Sequence, residues 1–242
     1  MKLTVIGCYG AYPPAGEATS GYLVEEGDTK VLLDCGSGVL TRLQEYIPLG
    51  ELDAVVVSHD HPDHVADLGC LQYAAMIEKQ IGRRKKPFSA WGPGDAGKLA
   101  YEQYCEGRSY EKEHPFRIGS LRFEVIRTLH EVPCYAVRVG APGGAELVYS
   151  GDTAYFGELA NFARDAGCFL CEASFYGDGR EPRTAQHLTA VEAGRLAAAA
   201  RAKSLVLTHL PHFGRPQRLA EEARSVYAGK VLLARRGLTL SL

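Results

Sequence analysis

Seven consecutive residues, 58–64, read Ser-His-Asp-His-Pro-Asp-His and directly follow the apolar run 53–57. A β-branched run of this length is typical of a buried strand, so the polar cluster falls on the loop at its carboxyl end. In an α/β protein that edge is where binding sites are built. Imidazoles and carboxylates at this density suit zinc first, with manganese or iron as alternatives. The stretch predicts a metal site rather than a solvated histidine-rich turn.

Length and composition indicate one α/β domain. The 242 residues are 46% hydrophobic and carry a formal net charge of −2, which supports a sizeable core without a general attraction to nucleic acid or acidic membranes. No linker rich in proline, glycine and serine divides the chain, so we expect a single domain over residues 1–242. No apolar run approaches the ~18 residues of a membrane span. Residues 1–7 enter a strand without a signal segment, and the scattered cysteines favour a reduced, cytoplasmic protein.

The order of the predicted elements indicates two similar halves. In each half a strand-rich stretch leads to a helix and a polar loop, which is typical of two sheets packed face to face with helices outside. We therefore predict an α/β fold, a four-layer αββα sandwich with two mixed sheets. The predicted strands are 3–8, 19–26, 29–34, 53–57, 88–94, 116–119, 121–126, 135–139, 146–149, 169–174, 205–209, 230–234 and 238–242. The predicted helices are 39–46, 67–75, 95–105, 155–165, 190–202 and 217–227.

Three more polar residues, His130, Asp152 and His209, each close an apolar strand. A lone histidine in such a position is usually structural. Here, however, three such residues follow the cluster at 58–64, which needs further ligands to bind metal, so we expect all of them to share one site. A hydrolytic zinc ion takes three protein ligands and keeps one position open for water. A larger set suits two ions that share a carboxylate and a hydroxide. The candidate ligands are His59, His61, Asp63, His64, His130, Asp152 and His209.

The spacing His-Xaa-His-Xaa-Asp-His over residues 59–64, with the three downstream residues, resembles the metallo-β-lactamase superfamily over nearly the whole chain. Ser-Gly-Asp-Thr at 150–153, Cys-Glu-Ala-Ser-Phe at 171–175 and His-Leu-Thr-Ala at 187–190 are similar to its ribonuclease Z and phosphodiesterase branch. The resemblance implies a hydrolase with two zinc ions that forms a homodimer. It implies one ion bound by His59, His61 and His130, a second bound by Asp63, His64 and His209, and Asp152 bridging them.

One departure from that branch concerns the RNA substrate. Ribonuclease Z of the bacterial type carries a long arm that grips transfer RNA, between the residues that correspond to His130 and Asp152. Here only 21 residues separate these two, and residues 132–148 read as two strands and a Pro-Gly-Gly turn. We therefore expect a phosphodiesterase acting on nucleotide or RNA phosphodiesters, with transfer-RNA 3′ processing as an alternative.

Two residues are predicted to be catalytic. Two metal ions about 3.5–4 Å apart lower the pKa of a bridging water toward neutrality and stabilise charge on phosphorus, and Asp63 is placed to orient the attacking hydroxide. His187 precedes Thr189 and Glu192, whose spacing is that of a capping box at a helix start. Because a helix start favours an anion, a histidine there is suited to stabilise the transition state or to protonate the leaving oxygen. The alternative is a surface histidine.

Other features support the site less directly. Glu172 and Asp34 are candidates for carboxylates that orient metal-bound histidines. The basic run 79–86 either steers an anionic substrate or is a solvated connection. Loops 9–19, 76–95 and 175–186 are expected to wall the pocket. The candidates for stacking on a base are Tyr9, Tyr12, Tyr155, Phe156 and Tyr176.

Two other classes of function remain open at this point. A lactone or thioester hydrolase would attack a carbonyl with the same two zinc ions and would not need His187. Loss of phosphodiesterase activity in His187→Ala would therefore favour the first hypothesis. A non-enzymatic metal or nucleic-acid binding module would bind RNA through residues 79–86 without turnover, in a manner that salt weakens. The large ligand set disfavours this module.

Overall fold

A computed structural model describes residues 1–177 and 186–242, which form two seven-stranded sheets with six α-helices. In chain order the strands are β1 (Lys2–Gly7), β2 (Gly21–Glu26), β3 (Thr29–Leu33), β4 (Ala54–Val56), β5 (Ser89–Gly92), β6 (Glu106–Ser109), β7 (Phe116–Ile118), β8 (Leu121–Arg127), β9 (Tyr135–Gly140), β10 (Glu146–Tyr149), β11 (Cys168–Glu172), β12 (Ser204–Thr208), β13 (Lys230–Leu233) and β14 (Thr239–Ser241). The helices are α1 (Val39–Leu43), α2 (Pro62–Val65), α3 (Leu68–Gln80), α4 (Gly157–Phe162), α5 (Ala190–Ala200) and α6 (Pro216–Arg224).

Both sheets are mixed, and each contains a parallel half. The first has the strand order β14-β1-β2-β3-β4-β5-β6, and the second has the order β13-β12-β11-β10-β9-β8-β7. Strands β3 to β6 are parallel neighbours, and so are β10 to β13. The carboxyl ends of parallel strands meet at one edge of a sheet, so each half directs several loops to the same place.

Alternation of side chains along the strands produces the layers. Val31 and Leu33 of β3 belong to the core that the two sheets share, whereas Leu32 packs in a second core with α1 and α3. Leu196 of α5 and Leu219 of α6 join the shared core from the far side of the second sheet. Fully burying such a side chain stabilises the fold by about 1.5–3 kcal/mol. The layers are therefore helix, sheet, sheet and helix, and the predicted αββα sandwich is confirmed.

The helix predicted over 95–105 is wrong. Residues Ala96–Leu99 form a short 3₁₀ helix that Asp95 caps, and the chain then turns into the edge strand β6. Gly107 of β6 lies so close to this turn that a Cβ on it would be 1.9 Å from the carbonyl oxygen of Ala96. Glycine weakens a helix and permits such an approach, and β6 itself (Glu-Gly-Arg-Ser) lacks the apolar pattern that indicates a strand.

Both cysteines of β11 lie in the core that the two sheets share. Cys168 and Cys171 are fully buried on β11, and all seven cysteines of the chain are free thiols. Among the helices of the described residues, none has both the length and the apolar character needed to cross a membrane. Part of the predicted pocket loop 175–186 falls at 178–185, outside the described residues.

Candidate metal centre

Every candidate ligand follows the carboxyl end of a strand, and all of them lie at one edge of the sandwich. β4 leads to the loop that carries His59 and His61, and α2 begins directly after it with Pro62 in its first turn. Proline is favoured there because its fixed φ suits the first helical turn. The other candidates follow the ends of strands in the second sheet: His130 after β8, Asp152 after β10 and His209 after β12.

The seven candidate ligands form two adjoining groups. The ligand atoms of His59, His61, His130 and Asp152 all lie within 4.8 Å of one another, and the same limit holds for Asp63, His64 and His209. Within the first group, His61 Nδ1 lies 3.1 Å from His130 Nε2. In the second group, His209 Nε2 lies 3.1 Å from Asp63 Oδ2.

Asp152 lies between the two groups. Its Oδ2 atom is 3.5 Å from His59 Nε2 in the first group. The same atom is 3.4 Å from His64 Nε2 and 3.3 Å from His209 Nε2 in the second group. One carboxylate thus contacts imidazoles of both groups, which is the position that a bridging ligand requires.

The donor atoms fit metal ions. His59 Nε2, His64 Nε2 and Asp152 Oδ1 are buried and have no hydrogen-bond partner among the residues that the structure describes. Buried polar atoms are rarely left unpaired, and these three face a cluster of further donors. Burial and the neighbouring His64 lower the pKa of His59 to about 2, so its imidazole is neutral, the form that binds metals. The site therefore has the chemistry of a cation site.

Asp34 fixes His64 from behind. This fully buried carboxylate lies 2.7 Å from His64 Nδ1 through its Oδ2 atom. It also accepts hydrogen bonds from the backbone N–H of Ser58 at 2.6 Å, from the Ser58 hydroxyl at 2.8 Å and from the Tyr149 hydroxyl at 2.7 Å. Asp34 has a φ of 56°, a left-handed conformation that costs energy outside glycine. The contact places Asp34 where it can orient the His64 ring.

Glu172 connects two other histidines. His187 Nδ1 lies 3.1 Å from Glu172 Oε1, and the Ser174 hydroxyl donates to Glu172 Oε2 at 2.7 Å while lying 2.8 Å from His209 Nδ1. Glu172 thus contacts His187 directly and is linked to His209 through the Ser174 hydroxyl. Burial lowers the pKa of His187, but the charge and the hydrogen bond of Glu172 outweigh it and raise this pKa to about 9.

The loop after β1 covers the second group. The backbone N–H of Ala11 donates to Asp63 Oδ2 at 2.7 Å. Gly10 lies against His209, because a Cβ on it would be 2.5 Å from the Cε1 atom of that ring. This close approach explains why a residue without a side chain occupies position 10. Asp63 is therefore held by the backbone of a loop that lies far from it in sequence.

Sequence reasoning missed several residues that support the site. The sequence places Ser58 in the motif and Tyr149 in a strand without indicating a further role, yet both donate hydrogen bonds to Asp34. Ser174 follows Glu172 by two residues, a spacing that could have indicated its hydrogen bond. Glu131, the residue after His130 in the sequence, has its Oε1 atom 3.1 Å from His61 Nε2. Since a buried tyrosine gives no pattern of its own, only the fold reveals the role of Tyr149.

The basic run 79–86 lies away from the cluster. Lys86 Nζ forms an ion pair with Asp53 at 3.1 Å, directly before β4. Arg84 is buried and donates to the carbonyl oxygen of Leu52 at 2.7 Å. These contacts place the run at the amino ends of β4 and β5, whereas the cluster lies beyond their carboxyl ends. The run serves as a connection and does not line the site.

Comparison with known proteins identifies the class. A family profile described as "Beta-lactamase superfamily domain" matches residues 29–210. The chain belongs to the metallo-β-lactamase superfamily, in its ribonuclease Z-like branch. It is 42% identical to "Probable metallo-hydrolase YhfI" of Bacillus subtilis (strain 168) over 242 aligned positions, covering 98% of this chain and 98% of that protein. It is 31% identical to "Ribonuclease Z" of Methanopyrus kandleri over 275 aligned residues, covering 98% of this chain and 96% of that protein.

A solved structure agrees with the sequence relatives. The crystal structure of the metallo-β-lactamase fold protein YhfI from Bacillus subtilis matches with a TM-score of 0.92 and 39% identity, covering 99% of this chain and 98% of that one. The predicted fold, superfamily and branch are confirmed, and the protein is a metallo-hydrolase.

Metal binding is expected to stabilise the protein measurably. Zinc added to the chelator-treated protein should raise Tm by about 10 °C, because a ligand at 1,000 times its Kd contributes about 4 kcal/mol and each kcal/mol is worth about 2–4 °C at this size. Scanning calorimetry with and without zinc checks this. His114→Ala, which changes an exposed histidine outside the cluster, should keep the shift, and Asp152→Ala should lose most of it. An unchanged Tm on chelation would exclude a structural metal site here.

Proposed function

We propose that the protein is a dinuclear zinc phosphodiesterase that acts on nucleotide or RNA phosphodiesters. The observation that carries this proposal is the position of His187, a histidine held by a buried carboxylate next to the ligand cluster and directly before the start of α5. The predicted capping box at that helix is present, since Thr189 accepts from the backbone of Glu192 and the Glu192 side chain accepts from the backbone of Thr189. The positive end of the dipole of α5 lies beside His187 and favours an anionic substrate.

We assign the ligands as the two groups of atoms suggest. One ion would be held by His59, His61 and His130, and the other by Asp63, His64 and His209, with Asp152 shared. Two bound ions supply positive charge that polarises a phosphoryl group and makes an attacking water more acidic. Imidazole and carboxylate donors suit zinc, with manganese or iron as alternatives.

Asp63 and His187 take the catalytic roles. The Ala11 N–H and the His209 ring hold Asp63 Oδ2, so this carboxylate has a fixed direction and can orient the nucleophilic water. The bond between His187 Nδ1 and Glu172 leaves Nε2 of the same ring for the substrate. Nε2 can then donate a proton to the leaving oxygen of a phosphodiester. An ester with an alkoxide leaving group needs that proton most.

A ribonuclease Z-type activity on transfer RNA is the second candidate. The 31% identity with the ribonuclease Z of Methanopyrus kandleri favours it. Against it, β9 and β10 with their short turn fill the interval between His130 and Asp152, where an RNA-gripping arm would be inserted. We therefore prefer a smaller substrate.

Turnover of bis(p-nitrophenyl) phosphate by the zinc-reconstituted protein tests the reaction class. We expect phosphodiester cleavage that requires two metal equivalents per chain and no opening of a homoserine lactone under the same conditions. Protein stripped of metal is the control. Lactone opening without diester cleavage would overturn the proposal in favour of a lactone or thioester hydrolase with the same metal site.

Three properties accompany this proposal as predictions. The chain forms one domain over residues 1–242, acts as a homodimer and works in the cytoplasm. Light scattering on the zinc-loaded protein tests the homodimer, for which a single species at the mass of one 26.3 kDa chain would be the opposing result.

A further inference from the structure

Three aromatic rings form a stack beside the metal cluster. The Tyr12 ring lies on the His212 ring with centroids 3.8 Å apart and planes 4° apart, and Tyr9 stacks on the same imidazole at 5.6 Å and 22°. His212 Nε2 donates to the carbonyl oxygen of Gly10 at 3.0 Å, and the backbone N–H of Tyr12 donates to the same oxygen at 2.7 Å. The His212 ring and the backbone of Tyr12 are therefore held by the same carbonyl group, in the turn at residues 10–12.

That turn also contacts the second ligand group. Ala11, the neighbour of Tyr12, donates to Asp63 Oδ2, and Gly10 lies against the ring of His209. His212 follows His209 by three residues on the loop after β12. The stack consequently stands at the rim of the site, next to the place where a phosphodiester would bind.

Tyr12 exposes one face of its ring. It is 62% exposed although His212 covers its other face, whereas Tyr176 is 4% exposed and donates its hydroxyl to the carbonyl oxygen of Phe213. Tyr9 is half-buried within the stack. An aromatic ring that is already fixed on one side loses little conformational freedom when a second ring stacks on the other. Tyr12 therefore has the geometry of a stacking platform.

We propose that the outer face of Tyr12, backed by His212, binds the base of a nucleotide whose phosphodiester lies at the metal cluster. This inference rests on the proposed phosphodiesterase function and names its substrate class. A phosphate site beside an exposed planar ring matches the two chemical parts of a nucleotide. Because every base has a π face, the platform favours substrates that carry a base and accepts any of the bases.

Two diesters with the same leaving group test the platform. Thymidine 5′-(p-nitrophenyl phosphate) carries a base, and methyl p-nitrophenyl phosphate does not. In Tyr12→Ala, KM for the nucleoside ester should rise about tenfold with kcat within about twofold, in line with the worth of one base–aromatic stack. The methyl ester should keep its kcat/KM within about twofold. Tyr12→Phe should behave as wild type, and so should Tyr73→Ala, which removes another exposed tyrosine, on α3.

A binding measurement keeps the inference independent of turnover. Calorimetric Kd values for thymidine 5′-monophosphate and ribose 5-phosphate should differ by about tenfold in wild type and converge in Tyr12→Ala. The platform would be overturned if Tyr12→Ala lost equal factors of kcat/KM on both esters, or if it kept the wild-type ratio of the two Kd values. Tyr12 would then be a structural residue of the loop. Hydrolysis of neither ester by wild type would overturn the proposed function, while the Kd ratio would still decide on the platform.

Discussion

His187→Ala is expected to lower kcat for cleavage of a dinucleotide by about 100- to 10,000-fold, the range that a positioned proton donor contributes. The same variant should lose less than about tenfold on bis(p-nitrophenyl) phosphate, because p-nitrophenolate leaves without a proton at neutral pH. The ratio of the two losses therefore reports proton donation specifically. Steady-state rates on both diesters, measured with the zinc-loaded protein, give that ratio.

The variant also separates two roles that the geometry allows. Asp152, His187 and His209 offer ligand atoms within 4.8 Å of one another, so His187 stands close enough to be considered as a ligand. Its Nδ1 atom, however, is paired with Glu172 at 3.1 Å. We expect His187→Ala to retain two zinc ions per chain, as determined by elemental analysis. Loss of one zinc ion together with equal losses on both diesters would show that His187 is a ligand instead.

His114→Ala is the matched control, because His114 is exposed and lies next to β7, outside the cluster. Its rates on both diesters should equal those of wild type. Glu172→Gln provides a second comparison. It keeps the size of the side chain but removes the charge beside His187, so it should show the same preference for the p-nitrophenyl ester with a smaller loss on the dinucleotide.

The parts of the site that lie in one motif could be predicted from the sequence. Residues 58–64 follow a buried strand, and that strand and the short helix α2 fix where their backbone runs. His130, Asp152 and His209 could be found because each follows an apolar strand, and parallel strands end at a shared edge. The grouping of these residues into one cluster follows from topology, which the two-halved order of elements already indicated.

The parts that depend on loops could not be predicted. Ala11 reaches Asp63 through its backbone N–H, and a backbone donor leaves no trace in the residue type. His212 showed no pattern until the loop after β12 brought it onto Tyr12. The composition of the segment 95–105 suits a helix, whereas the close packing of Gly107 against Ala96 is a tertiary effect that composition does not indicate. Propensity is a weak guide where such contacts decide.

Asp34 is the residue on which the buried side of the site depends most. Its carboxylate is fully buried and receives four hydrogen bonds, from the Ser58 backbone and hydroxyl, from the Tyr149 hydroxyl and from His64 Nδ1. It thereby joins the first sheet, the ligand loop and β10 of the second sheet. The bond to His64 Nδ1 directs Nε2 of the same ring toward Asp63 and Asp152.

Asp34→Ala is therefore expected to damage stability and metal binding together. Removal of one partner from a buried charged network costs about 3–5 kcal/mol, and loss of the group behind a metal-binding histidine costs about 10- to 100-fold in affinity. Urea unfolding of the metal-free protein measures the first effect, and zinc competition with a chromogenic chelator measures the second. Tyr149→Phe removes only one of the four bonds, so it should cost about 1 kcal/mol and leave zinc affinity within about threefold of wild type. If Asp34→Ala unfolds more easily but binds zinc as wild type does, Asp34 supports the fold alone and His64 keeps its orientation without it.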